Sequence, residues 1–140
     1  MIDKLGEREA REFLQNNQLG HLGCIVESEP YVLPVSYWSD GEFIYSHSLP
    51  GLKINAMRKH PRICLQVETI QDSYNWQSVI AFGFYFEITD AEERERILTL
   101  LFQQLPQLTP VESRMIRGTS ELIVFRLEIE RITGLCEKIS

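Results

Sequence analysis

Long apolar runs are missing from this 140-residue chain, and so is any excess of positive charge. The segment from Met1 to Arg11 is charged and has no apolar centre, so neither a secretory signal nor a membrane span is expected. With 14 basic against 20 acidic residues and a pI near 5.1, the chain lacks the broad cationic surface that nucleic-acid binding needs. Cysteine is scarce: Cys24, Cys64 and Cys136 form an odd set without the spacing of a disulfide framework, which points to a reducing, cytoplasmic setting. No P-loop, glycine-rich nucleotide fingerprint, Ser-His-Asp order, repeat or low-complexity tract occurs. What remains is a chain with 44% hydrophobic residues, enough for one domain over residues 1–140.

Charge is unevenly spread. Between Glu42 and Glu68 there is no acidic residue, yet Lys53, Arg58, Lys59 and Arg62 all lie there, which leaves 10 basic residues against 20 acidic ones elsewhere. An acidic chain that gathers cations beside a hydroxyl-rich segment and a glycine turn suits an anion.

Periodicity predicts a mainly β chain. Asp3 is expected to cap a helix reaching about Asn17, with Ala10, Phe13 and Leu14 on one face. Strands are expected over Gly20–Val26 and Tyr31–Trp38, the second joined through Ser39-Asp40-Gly41 to a third over Glu42–Ser48 as a hairpin. A short helix over Leu52–Lys59 should stop at His60-Pro61, because a residue before proline disfavours helical geometry. A strand follows over Ile63–Glu68, then a polar loop over Ile70–Asn75, then a long alternating strand over Trp76–Ile88 in which Gly83 marks a bulge or a close backbone contact. Asp90 and Glu93 resemble a capping box for a helix that presents Ile97, Leu98, Leu101 and Leu105 inward and ends before Pro106. A short helix is expected over Val111–Ile116, and a half-exposed strand over Leu122–Ile132 loses its phase at Arg131, the mark of a bulge or a change of sheet. Six strands with short connections favour an antiparallel barrel over a doubly wound sheet.

Several residues carry candidate chemistry. Gly51 and Lys53 open a helix where backbone N–H groups and a point charge suit a phosphate, although a solvated basic helix has the same composition. His47 sits between Ser46 and Ser48 on alternating faces. It could meet a phosphate or move a proton, or simply satisfy a backbone carbonyl. Pro34, Val35, Ser36 and Tyr37 form a segment whose proline breaks the ladder, as at a ligand-lined edge or one guarded against aggregation. Ser78, close to Trp76 and Val79, can reach a ribityl or phosphate oxygen, or act as a turn residue. A metal site built on His21-x-x-Cys24 is disfavoured, because a spacing of three on a strand sends the pair to opposite faces.

The order of these motifs resembles the FMN-binding split-barrel superfamily, in particular pyridoxamine 5′-phosphate oxidase-related proteins of the nitroimidazole-resistance type. The resemblance runs through Gly20-His21-Leu22-Gly23, Tyr31 to Tyr37, Asp40-Gly41, Ile44 to Ser48, Gly51-Leu52-Lys53-Ile54, Asn75 to Val79 with Gly83, and Arg131 to Gly134. It implies a six-stranded antiparallel Greek-key split β-barrel and a homodimer with FMN at the subunit interface. Pro34 to Tyr37 would border the isoalloxazine, Lys53 with nearby donors such as Ser48 would hold the phosphate, Trp76, Ser78 and Val79 would touch the tail or ring edge, and His47 would stand near flavin and substrate as the catalytic residue. The implied chemistry is flavin-mediated hydride transfer to a small nitro, quinone or related acceptor. The alternatives are a non-catalytic flavin store or sensor, and a haem-binding split barrel with His47 or His21 as axial ligand. The chain lacks the arginine-rich phosphate motif and basic C-terminal segment of the vitamin enzymes, and Phe84 stands where many relatives carry arginine.

Overall fold

The computed structural model describes residues 1–104 and 121–139. In chain order the elements are β1 (Ile2–Lys4), α1 (Glu7–Gln15), β2 (Leu19–Val26), β3 (Glu29–Ser36), β4 (Trp38–Ser39), β5 (Phe43–Ser48), α2 (Leu52–Lys59), β6 (Arg62–Asp72), β7 (Asn75–Glu87), α3 (Ala91–Gln104) and β8 (Ile123–Glu137). The strands form one antiparallel sheet in the order β3-β2-β6-β7-β8-β5-β4, with β1 added against β8. The sheet curls into a split barrel flanked by helices. Its two extreme strands are consecutive in the chain, joined by Tyr37 alone, and Ser46 Oγ donates across the seam to the Ser36 carbonyl at 2.7 Å.

The expected hairpin between Tyr31–Trp38 and Glu42–Ser48 is corrected. β3 turns back onto β2 along its whole length, and only Trp38 and Ser39 pair with β5. The cause is a two-residue turn at Glu27 and Ser28, whose φ values of 49° and 68° suit the right-handed twist of the flanking strands. Asp3 does not cap α1: it pairs with Cys136 in β1, and Gly6 takes the cap position. Ile70–Asn75 is also not a loop, because Asp72 accepts from Tyr74 N at 2.8 Å and from the Asn75 amide at 3.0 Å, building a tight turn between β6 and β7. The two added short strands bring the count among the described residues to eight rather than six.

Other expectations hold. α2 spans Leu52–Lys59 and stops at His60. Asp90 Oδ2 accepts the Glu93 backbone N–H at 3.0 Å at the start of α3, whose Ile97, Leu98 and Leu101 are buried. Leu105, the end of that helix before Pro106 and the segment Val111–Ile116 lie outside the described residues. The bulge appears where the phase of β8 breaks: Phe82 pairs with Arg131 and Gly83 with Ile129, leaving Glu130 extra. A Cβ at Gly83 would lie 1.9 Å from the Glu128 carbonyl oxygen, so the backbones meet there because no side chain intervenes.

The barrel interior is filled from alternate positions of the strands, among them Leu22, Leu65, Val67, Val79, Ala81 and Leu127. α1 closes one part of it through Ala10 and Leu14, and Tyr37 donates its hydroxyl to the Leu14 carbonyl at 2.8 Å. A second cluster lies under α3, where Ile97, Leu98 and Leu101 meet Tyr45, Ile88 and Val124. Each enclosed aliphatic side chain contributes about 1.5–3 kcal/mol.

Candidate functional site

The cationic window does not act as a unit. Arg58 is bound at both carboxylate oxygens of Glu87, at 2.8 and 3.0 Å, and Tyr85 donates to the same carboxylate at 2.6 Å. Arg62 pairs with Glu130 at 3.2 Å and lies over the Phe84 ring. These two arginines are therefore neutralised locally, which corrects the expectation of four cations converging on one anion. The Arg58 hydrogen bonds in turn hold the Glu87 carboxyl below its usual range.

Lys53 is different. It sits half-buried in the first turn of α2, and no carboxylate pairs with it among the described residues. Burial lowers the pKa of its ammonium, an effect partly offset by the nearby Cys24 thiol. Just before it, Gly51 has open space where a side chain would stand, and the helix has no side-chain cap on its first N–H groups. A partly desolvated cation beside uncapped amides and an open glycine fits a phosphate group.

Alternation assigns the remaining expected residues to faces. Tyr37 and Val79 are fully enclosed, so any contact they make with a ligand is limited to their backbone, and Val35 packs partly buried against the core. Their neighbours Pro34, Ser36, Trp76 and Ser78 lie on the outer face. The Trp76 indole donates to Glu137 at 3.1 Å beside a cleft lined by Thr69, Gln71, Gln77 and Lys138. His47 is half-buried, its ring edge-on to Phe102 of α3 at 5.7 Å, while Ser48 donates to the Leu49 carbonyl. Within one chain the structure thus brings Pro34, Ser36, Trp76 and Ser78 to a common face, and sets Lys53 and His47 apart from them.

The outer face also holds a hydrogen-bonded connection that the sequence did not show, through Gln66, which carried no assignment, and His21, weighed there only as a metal or haem ligand. His21 Nδ1 lies 3.2 Å from Gln66 Oε1, and the Gln66 amide nitrogen donates to Ser78 Oγ at 3.0 Å and Glu68 Oε1 at 3.3 Å. In register, Pro34 stands opposite His21 and His21 opposite Gln66. The available signal was polarity at outward positions of two otherwise apolar strands. One residue row away, Gly23, Val32, Cys64 and Phe82 line an apolar cavity of about 320 Å³, and the Cys64 sulfur occupies the space that a side chain at Gly23 would take. Desolvation raises the Cys64 thiol pKa. Among the described residues no group of His, Cys, Asp and Glu side chains is arranged to hold a metal. No described helix is long and apolar enough to cross a membrane.

Comparison with known proteins agrees with this architecture. Residues 6–135 match the family model described as pyridoxamine 5′-phosphate oxidase. An uncharacterised protein of Rhizobium meliloti is 31% identical over 139 residues, spanning 93% of this chain and 91% of that protein. The crystal structure of a FAD-binding protein from Mesorhizobium loti superposes with a TM-score of 0.79 at 28% identity, covering 96% of each chain. A candidate 5-nitroimidazole antibiotic resistance protein from Bacteroides thetaiotaomicron superposes with a TM-score of 0.76 at 17% identity, covering 96% of this chain and 87% of that one, a likeness of fold.

Proposed function

Because the chain belongs to the pyridoxamine 5′-phosphate oxidase family, we propose that it is a flavoprotein oxidoreductase, a homodimer that binds FMN between its protomers and reduces a small nitro, quinone or related acceptor. The observation that carries this reading is Lys53, a half-buried ammonium without a carboxylate partner among the described residues. Keeping such a charge partly out of water is unfavourable unless an anion joins it. Lys53 and the α2 amides hold the phosphate. Pro34, Ser36, Trp76 and Ser78 contact the ring and tail from the outer face. Lys53 is half-buried near Cys24, away from those four, and the proposed dimer lets one flavin meet both sets by lying between two copies of the chain. The exposed apolar residues Val32, Phe84 and Phe86 supply surface for such a contact. When bound, the flavin supplies hydride transfer at its N5. His47, its ring fixed by Phe102, moves a proton at the substrate.

The test is spectroscopic. Purified protein is expected to be yellow, with about one flavin per protomer, and Lys53→Ala should weaken FMN binding by about tenfold or more. Protein that takes up no flavin on titration overturns the reading. A flavin that stays oxidised on anaerobic mixing with NADH and NADPH favours storage over catalysis. FAD in place of FMN is a second reading, favoured by the Mesorhizobium loti relative, and the mass of the released cofactor decides between them.

Lys53 also carries a stability test. Its depressed pKa means that the unfolded chain binds this proton more readily, so flavin-free stability rises as pH climbs through the lowered value. Lys53→Met is accordingly expected to stabilise flavin-free protein by about 1 kcal/mol while it loses affinity. A lower melting temperature would instead give the lysine a structural role.

A further inference from the structure

The chain of hydrogen bonds from His21 through Gln66 to Ser78 crosses three neighbouring strands, and its direction is fixed. Glu68 can only accept, so the Gln66 amide nitrogen faces it and the amide oxygen faces His21. That oxygen has no proton to give, so the hydrogen of the neutral imidazole sits on Nδ1. Nε2 is left as a lone-pair acceptor with no partner among the described residues. At the other end, Ser78 Oγ accepts from Gln66 at 3.0 Å, which leaves its own hydroxyl hydrogen to donate. An acceptor and a donor therefore stand two strands and two residues apart, about 12 Å, on one outer face.

Few ligands match both ends. The oxidised isoalloxazine ring has a single N–H, at the imide, and a ribityl phosphate tail is rich in acceptor oxygens. We propose that this hydrogen-bonded chain selects the flavin, with His21 Nε2 accepting the imide N–H and the Ser78 hydroxyl donating to an oxygen of the tail. The proposal rests on the flavin reading above and adds His21 and Gln66 to it, the first as a ligand contact and the second as the residue that sets the tautomer. Beside His21, the apolar cavity lined by Gly23, Cys64 and Phe82 gives a planar body room to approach.

The experiment compares FMN with its N3-methyl analogue, which lacks the imide hydrogen, by quenching of flavin fluorescence. The wild-type protein should prefer FMN by about tenfold, and His21→Ala and Gln66→Leu should lose that preference at unchanged melting temperature. Separately, long-range 1H–15N spectra of flavin-free protein should show the Nδ1–H tautomer at His21, and Gln66→Leu should abolish it. Equal binding of the two flavins by wild type, a preference that survives in His21→Ala, or a tautomer indifferent to Gln66 overturns the proposal while leaving the flavin reading standing. Failure of the wild-type protein to bind either flavin overturns both.

Discussion

The two faces of β7 contrast sharply. On the inner side Val79, Ala81, Gly83 and Tyr85 are sealed, with Gly83 pressed against the backbone of β8. On the outer side Phe82, Phe84 and Phe86 are each covered by one arginine, Arg131 at 4.1 Å, Arg62 at 4.7 Å and Arg126 at 4.4 Å from the ring centres. The inner face has no room left. The outer face presents an apolar row under planar cations that are themselves held by carboxylates, Arg62 by Glu130 and Arg126 by Glu93 and Glu128. A guanidinium stacked on a ring shields apolar surface yet can be displaced, whereas a packed valine cannot. The fold thus keeps its rigidity on one side of the strand and its capacity for contact on the other.

That contrast can be broken most forcefully from within. Gly83→Ala should cost about 3 kcal/mol or more, because the new methyl has nowhere to go between two backbones; a chemical-denaturation midpoint close to wild type would show that β8 yields. On the outer face, Phe84→Glu should leave the protomer's unfolding free energy within about 1 kcal/mol of wild type but shift the protein from dimer to monomer in sedimentation velocity. An unchanged dimer would remove Phe84 from the proposed interface. The smallest effect is expected at the rim, where Ser28→Gly relieves a positive φ in the two-residue turn and should stabilise by about 0.5–1 kcal/mol in thermal unfolding.

Much of this was legible in the sequence. Alternation gave the faces of β5 and β7, the stop of α2 at His60-Pro61 was local chemistry, and the phase break at Arg131 located the bulge. Features that depend on distant partners were not legible. The segment before Tyr37 has the same local pattern whether it pairs forward with β5 or back with β2, and the choice is made by the Glu27-Ser28 turn. Asp3 has the composition of a helix cap but lies across from Cys136. At the site, the cationic window was visible, while the neutralisation of Arg58 and Arg62 was hidden because Glu87 and Glu130 are remote in sequence. Gln66 was overlooked, and His21 was weighed only as a metal or haem ligand, for the same reason: their connection does not exist until three strands lie side by side.

One residue, Tyr37, spans the gap between the first and last strands of the sheet, and its hydroxyl also holds α1 at Leu14. Prising the seam apart at this point therefore pulls on the helix that covers the interior, and releasing the helix frees the seam. Amide protons of α1, of the Ser36–Ser39 stretch and of the neighbouring part of β5 accordingly belong to one cooperative opening unit rather than to independently fraying edges.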